Sequence, residues 1–242
     1  MSFANLWETL EPIGITGCGY RRFSWTRSDA ECRGWFTEQA SLRGLDVEID
    51  RNGNLWAWWG AKGPGAIVTG SHLDSVPDGG AFDGPLGVVS ALAAIDVLRE
   101  RGITPVRPVA VAVFVEEEGA RFGLACLGSK LMTGAVTPGQ ARALTDAGGI
   151  TYADAMTAAG LDPAAIGPDE DLLSRIECFV ELHIEQGRAL AVMATRDTRT
   201  PSGGGSCDTG PLSSAPGYVA LPRASDSCAC VHYGRGPTGL SN

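Results

Sequence analysis

The sequence predicts an α/β fold, a mostly parallel sheet with helices on both faces, from two observations. Short apolar stretches alternate along the chain with helix-like stretches, which is typical of strands and helices packed in layers. One of the apolar stretches, residues 108–115 (PVAVAVFV), is apolar on both faces, as a central strand covered by helices must be.

The elements before the centre of the sheet have local signatures. Ser28 and Glu31 have the spacing of a capping box, which predicts a helix from Ser28 through about Arg43, ended by Gly44. The stretch DVEIDRNGNLWAWWG, which follows, predicts a β-hairpin, because apolar residues flank an Asn-Gly turn.

The later elements alternate between strand and helix. Their apolar patterns predict a buried strand over 66–69, a helix from Pro85 to about Arg101, the strand over 108–115, a short helix over 151–160 and a strand over 178–184.

Composition excludes several classes of partner. The chain has 242 residues and a net charge of −9, which argues against binding to nucleic acid or to an anionic membrane surface. It contains no apolar stretch long enough for a membrane span and no signal-peptide pattern at its start. Seven cysteines without zinc-site spacing are most simply reduced. We therefore expect a cytoplasmic protein.

Charge and composition divide the chain at about residue 190. Residues 1–190 contain 25 acidic and 15 basic side chains, whereas residues 191–242 contain 3 and 4 and are rich in Gly, Ser, Thr and Pro. Such a segment buries too little apolar surface to offset its loss of conformational entropy. The sequence predicts a folded part over 1–190 and an unstructured tail over 191–242.

Polar clusters follow three of the predicted strands. His72, Asp74 and Asp83 lie in GSHLDSVPDGGAFDGPLG, a glutamate triplet follows residue 115, and His183 lies near the end of the last strand. The carboxyl ends of strands meet at one edge of an open α/β sheet, so these side chains are expected to converge. Each cluster alone also fits an ordinary turn, a solvated loop or a structural histidine. Together they indicate a site for divalent zinc or manganese, because imidazole and carboxylate are suitable ligands.

Three stretches, GSHLDSVPDGGAFDGPLGV, EEEGARFGLACLGS and VELHIEQG, resemble in order and spacing the binuclear-metal amidohydrolases of peptidase family M20. Over about residues 15–190 the chain is similar to the subgroup of N-carbamoyl-L-amino acid hydrolases, ureidopropionases and allantoate amidohydrolases. The resemblance implies a small-molecule substrate, a linear ureido acid such as allantoate or an N-carbamoyl-L-amino acid, whose C–N bond is cleaved by metal-activated water. It also implies a homodimer and two divalent ions per subunit, zinc or manganese.

The resemblance also implies a role for each site residue. His72 and His183 would hold one ion, Asp83 would bridge the two, and Glu118 would hold the other. Glu117 would be the general base, Asp74 would orient His72, and Gln186 would line the substrate pocket.

The resemblance stops after HIEQGRAL. In the family, the later part of the chain contains the dimerisation domain and a final metal-ligating histidine. The context of His232, CACVHYGRGPTG, does not resemble that closing motif, so we interpret it as a tail residue. Residues 1–190 are interpreted as the N-terminal part of the catalytic domain, with a truncated or frameshifted end. Two alternatives stay open: a catalytically inactive fragment, and an aminoacylase or peptidase of the wider family.

Overall fold

A seven-stranded mixed sheet organises the part of the chain that the structure, a computed structural model, describes: residues 2–184, 218–220 and 229–235. The strands are Asp46–Ile49 (β1), Leu55–Trp59 (β2), Ala66–His72 (β3), Val109–Phe114 (β4), Ile176–Ile184 (β5), Tyr218–Ala220 (β6) and Ala229–Arg235 (β7). The helices are Phe3–Leu10 (α1), Arg27–Leu42 (α2), Pro85–Glu100 (α3), Leu127–Thr133 (α4), Pro138–Ala143 (α5), Tyr152–Ala158 (α6) and Glu170–Arg175 (α7).

The centre of the sheet is parallel and its two sides are antiparallel. The strand order is β1-β2-β4-β3-β5-β7-β6, and β3 pairs in parallel with both β4 and β5. The other four pairings of the described strands are antiparallel. A short hairpin joins β1 to β2, whereas α3 crosses over between β3 and β4, as a parallel pair requires. The predicted α/β fold is confirmed, but the sheet is mixed rather than mostly parallel, because strands added at both sides of the parallel centre pair antiparallel.

Helices cover both faces of the sheet, as predicted. The alternation of β2 separates its side chains, with Leu55 and Ala57 in one apolar cluster and Trp56 and Trp58 in another. The first cluster packs against residues of α1, α2 and α3, and the second packs against residues of α4 and α7. The part of the sheet formed by β2, β3 and β4 is therefore covered by helices on both faces.

The start of α2 differs from the predicted capping box. The N-cap residue is Thr26, and the Ser28 hydroxyl instead donates to the carbonyl oxygen of Arg21 at 2.8 Å. The backbone N–H of Trp25 donates to Asp29 at 2.9 Å. The predicted box is wrong because the helix begins one residue before Ser28, whose hydroxyl bonds to the preceding segment instead of capping the helix. The predicted end is confirmed, since Gly44 follows the helix with a φ of +60°.

The hairpin between β1 and β2 is built around one buried carboxylate. Asp50 accepts hydrogen bonds from the backbone N–H groups of Asn52 and Asn54, both at 2.9 Å. Its other oxygen accepts from the Asn54 amide at 2.8 Å and from the Trp56 indole at 3.1 Å. These four bonds fix the turn and join it to the core beneath β2.

Two short segments of the predicted unstructured tail are strands. β7 pairs antiparallel with β5, and β6 pairs antiparallel with β7. His232 lies in β7, where its backbone is in register with Glu181. The other residues of 191–242 lie outside the described part of the chain. Within the described residues, no helix combines the length and apolarity needed to cross a lipid bilayer.

Candidate metal centre

Three parallel strands end at one edge of the sheet, and the polar clusters follow them there. Thr69 of β3 pairs with Val180 of β5. His72 and His183 each come three residues after this pair, so the two histidines lie at the same height in the sheet. His72 is in turn level with Phe114 at the end of β4, which leads directly into the glutamate triplet. Parallel register thus brings together residues that are 111 positions apart.

The structure places six of the predicted site residues in this region. Two groups have ligand atoms that lie within 4.8 Å of one another: His72 with Asp83 and His183, and His72 with Glu117 and Glu118. Asp74 lies directly beside His72. Gln186, the predicted pocket residue, lies outside the described residues.

Distances within the first group suit a metal ion. The Nε2 atoms of His72 and His183 are 3.3 Å apart, and His183 Nε2 lies 3.4 Å from Asp83 Oδ1. Two nitrogen ligands on one tetrahedral zinc, with bonds of about 2.0–2.1 Å, are separated by about 3.3–3.4 Å. The two imidazoles therefore lie as two ligands of one ion would.

The second group contains an orphaned oxygen. Glu118 Oε1 is buried and accepts no hydrogen bond from the described residues. A buried carboxylate oxygen without a donor is costly unless a cation or a proton satisfies it. Glu117 Oε2 lies 3.5 Å from His72 Nε2, and its side chain is about one-third exposed. The donor set fits divalent ions, and Glu117 faces the open side of the site.

The charges of the centre favour a bound cation. Burial alone lowers the pKa of His72, but the carboxylate of Asp74, followed by Glu117 and Glu118, outweighs it and raises the pKa to about 10. Burial raises the pKa of Glu118 to about 7, and the carboxylates of Asp83 and Glu117 act in the same direction against His72. The neighbouring carboxylates contribute to both shifts, and a bound metal ion would offset their negative charge.

Asp74 joins two strand ends. Its carboxylate accepts the backbone N–H groups of Glu117 at 3.2 Å and Glu118 at 3.0 Å. The nearest acceptor for His72 Nδ1 is the backbone carbonyl of Asp74 at 3.0 Å, while the Asp74 carboxylate is 3.5 Å away, beyond a normal hydrogen bond. The expectation that Asp74 orients His72 stays a prediction: both its backbone carbonyl and its carboxylate lie beside the ring, and the carboxylate also holds the backbone of Glu117 and Glu118.

Gly84 leaves space for the His72 ring. A Cβ atom at this position would lie 2.4–2.6 Å from three atoms of the imidazole, and the φ of Gly84 is +82°. Only glycine permits both this backbone conformation and this approach. The turn between Asp83 and α3 is therefore shaped around the buried histidine.

Sequence reasoning missed two residues that organise the loop after β4, which carries the glutamate triplet, residues 116–118. Glu116 has a φ of +52°, and its buried carboxylate accepts the N–H groups of Arg121 and Phe122 at 3.1 and 2.8 Å. Cys126 donates its thiol to Glu117 Oε1 at 3.3 Å. The triple glutamate was a signal that one acid could be structural, but nothing in the local pattern identified which.

Comparisons with known proteins identify the family of this chain. The family model described as Peptidase family M20/M25/M40 matches residues 68–228. N-carbamoyl-L-amino acid amidohydrolase of Geobacillus stearothermophilus is 38% identical over 192 residues, which are 77% of this chain and 47% of that protein. Allantoate amidohydrolase of Escherichia coli strain K12 is 38% identical over 191 residues, which are 76% and 46% of the two chains.

Solved structures give the same result. An amidase of the hydantoinase/carbamoylase family from Burkholderia multivorans superposes with a TM-score of 0.70 at 31% identity, over 80% of this chain and 47% of that one. This chain spans about half the length of the relatives that it matches. The match of the family model, which covers about two thirds of the chain, together with the shared fold, shows that the chain belongs to peptidase family M20/M25/M40.

Proposed function

We propose that this site binds two divalent ions, zinc or manganese, and serves hydrolysis of a C–N bond in a linear ureido acid. The observation that supports the proposal most strongly is the cluster of His72, Asp83 and His183, with the carboxylates of Glu117 and Glu118 beside the same imidazole to supply further ligands. The named activities of the relatives support the substrate class, since N-carbamoyl amino acids and allantoate both carry a ureido group.

Each side chain has a role in this proposal. His72 and His183 hold the first ion, Asp83 bridges the two ions, and Glu118 holds the second. A carboxylate can bridge because it has two oxygens, and ions in such pairs lie about 3.5–4 Å apart. Burial of His72 and Asp83 shields these ligands from water.

Glu117 is the proposed general base. When bound, the ions lower the pKa of a water molecule and polarise the ureido carbonyl. Glu117 takes one proton from the attacking water at a carboxylate oxygen and gives it to the leaving nitrogen as the C–N bond breaks. The overall reaction of a monosubstituted ureido group with one water yields an amine, ammonia and carbon dioxide. The partial exposure of Glu117 gives it access to the substrate.

The test separates metal binding from proton transfer with three Glu→Gln variants. The purified chain is titrated with Mn²⁺ and Zn²⁺, and ammonia release is measured with allantoate and with N-carbamoyl amino acids. Glu118→Gln should weaken metal binding, whereas Glu117→Gln should keep the metal and lose about 10²- to 10⁴-fold in rate. Glu100→Gln is the matched control, at the far end of α3, about 22 Å along the helix from its start near the site.

Two results would contradict the proposal in different ways. A wild-type chain that binds neither ion would refute the metal centre. A chain that binds metal and releases no ammonia from any ureido acid would support the alternative of an inactive fragment. If metal binding falls in Glu117→Gln and persists in Glu118→Gln, the roles of the two glutamates are exchanged.

A further inference from the structure

The loop that joins two of the proposed site residues is held by a distant segment. Residues 75–82, here called the connecting loop, run from Asp74 to Asp83. Tyr20 and Gly79 form an antiparallel bridge, with their backbone N–H groups donating to each other's carbonyls at 3.1 and 3.3 Å. Arg22 and Ser75 exchange two more hydrogen bonds, at 3.0 and 3.2 Å.

An ion pair fixes the middle of the connecting loop. Arg21 donates from Nε and Nη2 to the two oxygens of Asp78, at 2.8 and 3.0 Å, in a bidentate arrangement. Asp78 has a φ of +57°, a left-handed conformation that a residue with a side chain adopts only at a cost in free energy. The guanidinium of Arg21 thus stabilises a turn that the loop alone would adopt less readily.

An aromatic contact fixes the end of the loop. The Phe82 ring stacks on Trp7 of α1, with centroids 4.5 Å apart and planes inclined by 20°. Phe82 directly precedes Asp83, and Gly84, the N-cap residue of α3, follows it. Asp83 is therefore held by the stacked ring on one side and by the helix on the other.

We infer that Trp7 and residues 20–22, here called the N-terminal clamp, position Asp83 for metal binding. The inference rests on the proposed metal centre. A ligand that is already ordered binds an ion without an additional loss of conformational entropy, so contacts that order the connecting loop increase metal affinity. Arg21 and Trp7 are positioning residues that act through the loop.

The ion pair between Arg21 and Asp78 allows a test with a matched control. Arg27 pairs with Glu31 through Nε at 2.9 Å on the exposed side of α2, so Arg27→Gln removes a similar surface ion pair that does not contact the loop. Arg21→Gln, Asp78→Asn and the double variant are compared with it. Affinity for Mn²⁺ is measured by titration, stability by denaturation of the metal-free chain, and loop order by amide hydrogen exchange.

We expect Arg21→Gln and Asp78→Asn each to weaken Mn²⁺ binding about two- to fivefold, the range of exposed ion pairs. The double variant should bind Mn²⁺ as tightly as each single variant does, because each single substitution already removes the ion pair. Amide exchange over residues 75–83 should accelerate in these variants and not in Arg27→Gln.

Three outcomes would overturn the inference. If exchange in the loop accelerates while Mn²⁺ affinity stays at the wild-type value, the clamp is only structural. If Arg27→Gln weakens binding equally, the effect is a general one of surface charge. A wild-type chain that binds no Mn²⁺ refutes the proposed metal centre and this inference together, so the two failures are distinguishable.

Discussion

Substitution of Gly84 by alanine tests whether the space at the start of α3 is required by His72. The new Cβ would lie 2.4 Å from Cε1 and 2.5 Å from Nδ1 of the imidazole, so the ring or the backbone must move. Alanine at a φ of +82° costs about 1–3 kcal/mol, and overpacking of the buried ring adds about 1–3 kcal/mol. We expect a loss of about 2–6 kcal/mol in the free energy of unfolding.

The measurement combines denaturation of the metal-free chain with metal titration. A loss of at least about 2 kcal/mol lowers the midpoint temperature of a chain of this size by roughly 4 °C or more. Displacement of the His72 ring should also weaken metal binding about 10- to 100-fold, the effect of removing the support of a ligand. Gly80→Ala is the control, because a Cβ there meets nothing within 4 Å. The reasoning is refuted if Gly84→Ala and Gly80→Ala behave alike.

Three further predictions concern the buried carboxylates and the proposed site. Asp50→Ala should reduce the free energy of unfolding by about 2–5 kcal/mol, because it leaves buried donors without an acceptor. The control Asp46→Ala, at the exposed start of β1, should change this free energy by less than about 0.5 kcal/mol. Denaturant titration measures both. Burial raises the pKa of Asp29 to about 6, so the folded chain holds this proton more tightly than the unfolded chain, and stability is lost as pH rises from about 4 through 6. This loss in the free energy of unfolding, on the order of 1–3 kcal/mol, should be absent in Asp29→Asn. Denaturation at several pH values measures it, and an equal pH dependence in the two chains would contradict the prediction. Because the pKa values of His72 and Glu118 are raised, ions must displace protons, and Mn²⁺ affinity should increase between pH 6 and pH 8; a flat profile would contradict this.

Local patterns predicted the elements that build the centre of the sheet. The strand predicted over 66–69, the helix from Pro85 and the strand before the glutamate triplet all lie where expected, because each has a clear apolar pattern and a Gly or Pro boundary; the first of them continues beyond its prediction to His72. The convergence of strand ends followed from topology alone. It needed no knowledge of side-chain contacts.

What the sequence could not predict depends on contacts between distant residues. Ser28 fits a capping box, yet its hydroxyl bonds to Arg21, and the helix starts earlier. Glu116 is indistinguishable in sequence from the two glutamates after it, and only its position above Ser24, whose hydroxyl accepts its N–H at 3.0 Å, makes it structural. The bidentate contact of Arg21 with Asp78 joins residues 57 positions apart, which no local rule addresses.

The glycines of the first motif show why the metal centre requires this packing. A Cβ at Gly70, in the middle of a central strand, would lie 2.0 Å from the carbonyl oxygen of Ala112 in β4. A Cβ at Gly87, in α3, would lie 2.7 Å both from Ser71 Cβ and from the carbonyl oxygen of Leu182, the neighbours in sequence of His72 and His183.

Like Gly84, each of these glycines lies at a contact between elements that carry site residues, where there is no space for a side chain. Glycine in a strand or helix normally lowers stability by roughly 0.5–1 kcal/mol relative to alanine. At Gly70, Gly84 and Gly87 we expect the opposite effect, because a side chain would meet β4 at Gly70, the His72 ring at Gly84, and both β3 and β5 at Gly87. The close approach at these positions lets β3 lie against both its helix and its neighbouring strands, and in that arrangement the two imidazole nitrogens of His72 and His183 are 3.3 Å apart.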